Sequence, residues 1–267
     1  MHTLFIGAGR MGEALIKGVL KSGVLTKDEL FLFEKDMERA AYIKNKYEIN
    51  CFKSLQKSLE SVEIIIIAIK PQQLAGLIEE LNRCSISGKV IVSIAAGISV
   101  KFYKDRLKEE VSIIRVMPNI LATIGESVSA ISPSENISEN IIKEVKKIFL
   151  AVGKIITIEE KFQNAVTALS GSGPAYFYLF AEAMTESGIR AGLSREKALR
   201  LVYQTMKGSQ KMLDNSGKHP ESLIDEVASP GGTTIAALEV FESQGFKECI
   251  FKAVEAAIKR AEELEKS

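Results

Sequence analysis

The sequence predicts a doubly wound α/β domain over residues 1–158, followed by an all-α domain over residues 159–267. Short apolar runs alternate with helical segments up to Ile158, which is the pattern of a parallel sheet covered by helices. From Glu160 onward only helical patterns follow. A chain of 267 residues also suits two domains better than one or three, because domains average ~150 residues.

The strands of the first domain are predicted from short, apolar runs bounded by turn residues. One of them, Ile64–Ile69, is apolar on both faces, as a central parallel strand should be. The predicted strands are Thr3–Ile6, Leu30–Phe33, Ile64–Ile69, Lys89–Ile94, Val111–Val116, Val128–Ile131 and Lys154–Ile158. The predicted helices are the one that follows Gly12 and stops at Gly23, then Met37–Lys46, Leu74–Asn82 and Ser138–Leu150.

The second domain is predicted to contain six helices. In one of them, the segment Ala175–Glu186 is apolar around most of its circumference, so it must be buried on most sides. A domain of this size has limited room to do that alone, so we expect a partner subunit to cover the helix. The alternative is the central helix of a monomeric bundle. The predicted helices are Phe162–Leu169, Ala175–Gly188, Arg195–Asp214, Pro220–Ala228, Thr233–Ser243 and Lys247–Glu265.

Composition excludes several classes of protein. Lys and Arg total 35 and Asp and Glu total 34, so we expect no nucleic-acid partner. The longest apolar run, Ile64–Ile69, is far shorter than the ~20 residues of a membrane-spanning helix. With no targeting pattern at the N-terminus, we expect Met1 to be the mature start. The distant cysteines, Cys51, Cys84 and Cys249, predict no disulfide framework and no metal site, and they favour a cytoplasmic location.

A glycine-rich turn lies between the first strand and the first helix. The run Gly7-Ala8-Gly9-Arg10-Met11-Gly12 has the spacing G-x-G-x-x-G. Gly7 permits the tight turn, Gly9 lets the backbone approach a pyrophosphate, and Gly12 allows close packing of helix on strand. The free N–H groups of the helix would face the anion. The sequence therefore predicts dinucleotide binding, with a glycine-rich turn without ligand as the alternative.

The end of the second strand bears on the choice between NADPH and NADH. Glu34 lies there, 22 positions after Gly12, where an acidic residue commonly accepts from the ribose 2′-hydroxyl. An acidic residue at that position slightly favours NADH over NADPH. The adjacent Lys35 would either meet a 2′-phosphate or remain a solvated surface charge.

Three further strand ends carry candidate cofactor contacts, because ligands of an open α/β sheet collect at the carboxyl ends of its strands. Small residues and prolines there leave room for the nicotinamide riboside. Lys70 would act either as a catalytic group or as a hydrogen-bonding partner of cofactor or backbone. The candidates are Ala68, Ile69, Lys70, Pro71, Ala95, Ala96, Gly97, Met117 and Asn119.

Two helices of the second domain begin with glycine-rich runs. These are Ser170-Gly171-Ser172-Gly173-Pro174 and Ser229-Pro230-Gly231-Gly232-Thr233-Thr234. Exposed N–H groups at such starts suit a carboxylate, and the hydroxyl groups nearby both donate and accept. Ordinary capping of the helices by Ser and Thr is the alternative.

The motifs GAGRMGEA, AIKPQ, SIAAGIS, VMPN, ALSGSGPAY and DEVASPGGTTIAALEVFE resemble those of pyrroline-5-carboxylate reductases, in the same order and over the whole chain. The resemblance implies an NAD(P)H-dependent oxidoreductase that reduces the C=N bond of 1-pyrroline-5-carboxylate to give L-proline, the last step of proline biosynthesis. It also implies a Rossmann-type domain, an all-α dimerisation domain and a homodimer. Whether dimers assemble further is left open.

The resemblance also implies roles for particular residues. Ser229, Gly232, Thr233 and Thr234 match the substrate loop, with backbone N–H groups on the carboxylate and the Thr234 hydroxyl near the ring nitrogen. Glu160 resembles a substrate-side acidic position. Hydride transfer to a protonated imine needs positioning but no nucleophile and no metal, which fits a chain with two histidines.

Two departures from the family pattern and two rival functions remain. Glu34 replaces a smaller polar residue found in NADPH-preferring members, and Asn164 stands where many members carry Asp. One rival is a related cyclic-imine or 3-hydroxyacid reductase of the same architecture; the latter enzymes use a helix-borne lysine, for which Lys161 and Lys211 are available. The other rival is a non-catalytic NAD(P)H-binding protein.

Overall fold

The computed structural model describes residues 1–266, with side chains through residue 265. Within these residues, eight strands form one sheet in the order β3-β2-β1-β4-β5-β6-β7-β8. All neighbouring strands are parallel except β6 and β7, which pair antiparallel. The strands are β1 (Thr3–Ile6), β2 (Leu30–Phe33), β3 (Asn50–Phe52), β4 (Ile64–Ile67), β5 (Val90–Ser93), β6 (Ser112–Met117), β7 (Ser127–Pro133) and β8 (Gly153–Thr157).

Helices connect the parallel strands and continue after β8. Those of the α/β part are α1 (Arg10–Ser22), α2 (Met37–Tyr47), α3 (Leu55–Leu59), α4 (Leu74–Leu81), α5 (Val100–Arg106) and α6 (Glu139–Leu150). Those that follow are α7 (Gln163–Val166), α8 (Gly173–Arg190), α9 (Arg195–Ser216), α10 (Pro220–Val227), α11 (Thr233–Ser243) and α12 (Phe246–Lys266).

The core consists of two apolar layers, one on each face of the sheet. Alternate residues of a strand point to opposite faces, so Phe5 of β1 joins one layer while Leu4 and Ile6 join the other. The first layer includes apolar residues of α1 and α6, and the second includes those of α3, α4 and α5. Both faces of the central strands are therefore covered, which is why their sequences are continuously apolar.

The predicted doubly wound sheet is confirmed, and β1, β2 and α11 have their predicted bounds. The prediction for Ile64–Ile69 was two residues too long, because the chain leaves the ladder after Ile67 to form the turn that contains Pro71. The predicted helix Phe162–Leu169 is helical throughout, but it is not one continuous α-helix. Phe162 ends a 3₁₀ turn, α7 has only four residues, and a π-helical turn follows at Thr167–Gly171.

The chain divides into two compact units: residues 1–172 together with 257–267, and residues 173–256. The sheet unit therefore includes the segment before α8 and the last part of α12. The predicted domain limits, 1–158 and 159–267, stay a prediction. No helix within residues 1–266 is long and apolar enough to cross a membrane.

The second unit exposes the apolar residues of α8. Phe177, Tyr178 and Leu179 are 65%, 60% and 68% exposed, although each is large and apolar or aromatic. This exposure contradicts the alternative in which α8 is the centre of a monomeric bundle. We therefore still expect a partner subunit to cover α8.

Candidate functional site

The glycine-rich turn joins β1 to α1 in a conformation that needs its glycines. Gly7 has φ +93° and lies against the end of β4, where a Cβ would be 2.8 Å from the carbonyl oxygen of Ala68. Gly9 precedes α1 without any side-chain cap, and a Cβ there would meet nothing within 4 Å. The turn thus leaves open space beside an uncapped helix start, which fits a dinucleotide pyrophosphate.

Gly12→Ala is expected to weaken both the fold and cofactor affinity. A Cβ at Gly12 would lie 2.5 Å from the carbonyl oxygen of Gly7, so α1 must move away from β1. We expect a loss of about 1–2 kcal/mol in the free energy of unfolding, as for overpacking, and about tenfold weaker cofactor binding. Urea unfolding and cofactor titration measure the two effects.

The matched control is Gly76→Ala in α4, where a Cβ meets nothing within 4 Å. That substitution should stabilise the protein slightly, because alanine has the higher helix propensity. Equal behaviour of the two variants would contradict the close packing at Gly12.

The predicted cofactor residues of β4 and β5 lie at the same edge of the sheet as the glycine-rich turn. The Ala68 N–H donates to the carbonyl oxygen of Ile6, which places the β4 end directly beside the turn. Ala95 is buried, and its N–H donates to the Ser93 hydroxyl over 3.3 Å. Ala96 and Gly97 continue this loop, and Ile69, Lys70 and Pro71 continue the loop after β4. The Lys70 side chain is exposed.

Ser93 is itself held by a buried tyrosine. The Tyr103 and Ser93 hydroxyl oxygens lie 2.6 Å apart, and burial raises the pKa of Tyr103 above its usual range. The loop that begins at Ala95 therefore starts from a fixed hydroxyl pair at the end of β5.

Glu34 and Lys35 follow β2 at this edge. The Glu34 carboxylate accepts from the backbone N–H of Ala8, in the glycine-rich turn, over 2.7 Å and from that of Asp36 over 3.0 Å. Lys35 pairs with Glu80 of α4, and both side chains reach solvent. Glu34 is therefore in contact with the turn, whereas Lys35 is turned to a surface ion pair.

Met117 and Asn119 both contact the segment that leads into α8. A Cβ at Gly171 would lie 2.7 Å from the Met117 methyl carbon, so the end of the Met117 side chain packs directly against this glycine. Asn119 is buried, and its amide nitrogen donates to the Ser170 hydroxyl over 2.9 Å. Its amide oxygen accepts from the N–H of Leu121 over 3.1 Å. The strand end and the Ser170 run are thus joined within the sheet unit.

A charged cluster surrounds the buried Arg115 of β6, and no sequence motif predicted it. Its guanidinium donates to Glu160 over 3.2 Å and to Glu265 of α12 over 3.0 Å. Glu160 also accepts from the N–H of Val100, at the start of α5. Glu160 is therefore engaged by groups of the sheet unit itself, and its substrate role stays a prediction. The cluster joins residues 45 and 150 positions apart, so no local pattern signals it.

Asn164 belongs to this cluster and makes one contact that an ionised Asp could not make. Its amide nitrogen donates to Glu265 over 2.9 Å, and its amide oxygen is 3.5 Å from the Arg115 guanidinium. An amide can donate and accept at once, whereas an ionised carboxylate only accepts. Asn164 therefore avoids a third negative charge beside Glu160 and Glu265.

The second unit presents the predicted substrate loop at the start of α11. Gly232 is the N-cap residue and provides no side-chain cap, and Gly231 has φ +68°. A Cβ at Gly232 would lie 2.5 Å from the Ser229 hydroxyl oxygen. Ser229 and Thr233 are exposed, and Thr234 is half-buried. The alternative of ordinary Ser or Thr capping is not seen here, so the first N–H groups of α11 remain free of a side-chain cap.

The lysines of the rival hydroxyacid mechanism lie in ordinary surface positions. Lys161 pairs with Glu159 over 2.6 Å, and both side chains are largely exposed. Lys211 is exposed on α9. Neither lysine is buried.

Two family models match the chain. The model described as pyrroline-5-carboxylate reductase dimerisation matches residues 160–264. The model described as NADP oxidoreductase, coenzyme F420-dependent, matches residues 3–97.

Named relatives match over nearly the full length. A pyrroline-5-carboxylate reductase of Methanosarcina acetivorans is 37% identical, over 98% of this chain and 97% of that protein. The structure of one from Coxiella burnetii has a TM-score of 0.92 at 29% identity and covers 100% of this chain and 99% of its own. A Plasmodium falciparum pyrroline carboxylate reductase with NADP bound has a TM-score of 0.88 at 32% identity, covering 99% and 98%.

Proposed function

The chain belongs to the pyrroline-5-carboxylate reductase family of NAD(P)-dependent oxidoreductases, and from that premise we propose how its own residues reduce 1-pyrroline-5-carboxylate to L-proline. One observation carries the proposal: each unit holds a helix that begins at a glycine without a side-chain cap. Gly9 precedes α1 beside open space, and Gly232 precedes α11. The first suits the cofactor pyrophosphate, and the second suits the substrate carboxylate.

The reaction needs an electrophilic carbon and a positioned hydride donor. The bound reduced nicotinamide supplies the hydride. The N–H groups of Thr233 and Thr234 bind the substrate carboxylate, where the positive end of the α11 dipole favours a negative charge. The Gly232 N–H instead donates to the Ser229 carbonyl oxygen over 2.9 Å and so fixes the shape of the loop. The Ser229 hydroxyl borders the same loop.

The Thr234 side chain acts at the ring nitrogen of the substrate. Its hydroxyl holds the nitrogen in the orientation that presents the C=N carbon for reduction. A threonine hydroxyl is a poor general acid, so the imine arrives already protonated and Thr234 keeps its geometry. The chain therefore contributes position and electrostatics rather than a nucleophile.

NADH is the preferred cofactor in this proposal. The Glu34 carboxylate lies against the glycine-rich turn and accepts two N–H groups, which leaves acceptor capacity for a ribose diol. A 2′-phosphate would bring its negative charge beside this carboxylate. We also place the enzyme in the cytoplasm, where the free thiols of its three cysteines stay reduced.

The test is the initial rate of oxidation of NADH and NADPH, measured side by side with 1-pyrroline-5-carboxylate. We expect turnover with both cofactors and a kcat/KM at least about fivefold higher with NADH. Hydroxy acids should give no turnover. Rates on a hydroxy acid without rates on the imine would overturn the substrate, and binding of both cofactors without any turnover would favour the non-catalytic rival.

A homodimer through α8 is the proposed assembly. Phe177→Glu places a charge in the exposed apolar surface of α8, and burying that charge in an interface is costly. We expect the dimer dissociation constant to rise at least about tenfold, measured by light scattering across a dilution series. The control is Ala75→Glu on the exposed side of α4, which should leave the dimer unchanged. A monomeric wild type would contradict the proposal.

A further inference from the structure

Ala8, between the first two glycines of the glycine-rich turn, is hydrogen-bonded by two charged side chains of one neighbouring segment. The Ala8 N–H donates to the Glu34 carboxylate over 2.7 Å, and the Ala8 carbonyl accepts from Arg39 Nε over 2.7 Å. Because the two bonded atoms belong to one residue, the Glu34 carboxylate and the Arg39 guanidinium both lie beside the turn.

Arg39 is an unusual neighbour for an acidic ribose-binding position. In dinucleotide sites that accept a 2′-phosphate, an arginine near this position commonly binds it. Arginine binds phosphate through two parallel N–H groups, and such pairs are strong and specific. The chain therefore carries an acidic residue suited to NADH and, next to it, a guanidinium of the kind that selects NADPH.

The Arg39 guanidinium is already paired with the Glu13 carboxylate. Arg39 Nη2 donates to Glu13 of α1, and the guanidinium carbon lies 5.0 Å from the centre of the Tyr42 ring. Glu13 and Arg39 are 19% and 29% exposed in their side chains, so this pair is better shielded than a surface ion pair. Reorienting Arg39 toward a ligand would break its bonds to Glu13 and to Ala8.

Glu13 is itself fixed by two further groups. Its other carboxylate oxygen accepts from the Lys46 ammonium and the Tyr47 hydroxyl, each over 2.9 Å. Burial raises the pKa of Glu13, but the hydrogen bonds from Lys46, Arg39 and Tyr47 outweigh it and hold the pKa below its usual range. Glu13 is therefore ionised at neutral pH and held in one orientation.

We propose that Glu13 determines cofactor specificity by sequestering Arg39: it holds the guanidinium on the Ala8 carbonyl and away from the ribose 2′ position, and so disfavours NADPH. Glu34 attracts the ribose diol, while Glu13 removes a cation that a 2′-phosphate would use. This inference rests on the proposed cofactor site, but it does not depend on turnover of the imine.

The experiment measures the dissociation constants of NADH and NADPH without imine, by calorimetry, for four proteins. These are the wild type, Glu13→Gln, Arg39→Met and the double variant. Glutamine keeps the size of Glu13 and an acceptor for Tyr47, but it removes the charge that holds Arg39. We expect Glu13→Gln to bind NADPH about tenfold more tightly, with the NADH constant changed less than twofold.

The other variants decide how that gain arises. Arg39→Met should leave the NADPH/NADH ratio within twofold of the wild type, and the double variant should return to the wild-type ratio. Lys46→Met is the control, because it removes a Glu13 partner but keeps the Glu13–Arg39 pair, so its ratio should not change. Thermal unfolding checks that each variant is folded.

Three results would overturn the proposal. The first is an unchanged ratio in folded Glu13→Gln, and the second is a gain that persists in the double variant. The third is a tenfold loss of NADPH binding in Arg39→Met alone, which would mean that Arg39 already binds the 2′-phosphate. Failure of imine turnover would count against the proposed function and leave these binding results valid.

Discussion

Thr234→Val is expected to lower kcat/KM for the imine about 100-fold. Valine keeps the volume and the branched shape of threonine at the second position of α11, but it removes the hydroxyl that orients the ring nitrogen. Loss of one well-placed hydrogen-bonding group in a catalytic site costs about this much. Initial rates at saturating cofactor measure the effect, and the dissociation constant of NADH should not change.

Thr233→Val is the matched control for this substitution. Thr233 is the adjacent residue at the start of the same helix, it is exposed, and its proposed contribution is a backbone N–H, which valine retains. We expect kcat/KM to stay within about threefold of the wild type. Wild-type activity in Thr234→Val, or an equal loss in both variants, would exclude the proposed role of the Thr234 hydroxyl.

Glu160→Gln/Glu265→Gln is expected to lower the free energy of unfolding by about 3 kcal/mol. The two carboxylates are the charged partners of Arg115, whose side chain is only 5% exposed. Without them the guanidinium is a buried, uncompensated charge, which is costly. Urea unfolding followed by circular dichroism measures the change.

Removing the arginine instead should cost less. In Arg115→Met the two carboxylates remain, but their side chains are 35% and 26% exposed and can be hydrated. Comparing the two losses in the free energy of unfolding therefore tests whether the buried guanidinium needs its partners more than the two carboxylates need theirs. A greater loss in Arg115→Met than in the double glutamine variant would contradict this account.

Local patterns predicted the elements whose limits are set by neighbouring residues in the sequence. β1 ends at the glycine-rich turn, and α11 begins directly after Gly232, so both were predicted with their observed bounds. β3 was missed because it has three residues, lies at the edge of the sheet and is only partly buried. α5 was missed although Ser99 caps it, because its seven residues carry too little periodic pattern.

The residues of the candidate site also fall into two groups, those in local sequence motifs and those paired over long sequence distances. The glycine-rich turn, Glu34 and the substrate loop occur in recognisable local motifs, so sequence alone identified them as candidates. The Glu13–Arg39 pair joins residues 26 positions apart, and the Arg115–Glu265 pair joins residues 150 positions apart. Such contacts depend on how the sheet and helices pack, and nothing near either residue in the sequence signals its partner.

The return of α12 to the sheet unit has a consequence for folding during translation. The strands and Arg115 leave the ribosome long before Glu265, which contacts Arg115 from the last part of α12. In the nascent chain the buried guanidinium has Glu160 as a partner but not Glu265, and Leu264 is not yet beside Gly97. Domains generally fold from the N-terminus as they are synthesised, but here the first unit stays incomplete until the second has been made.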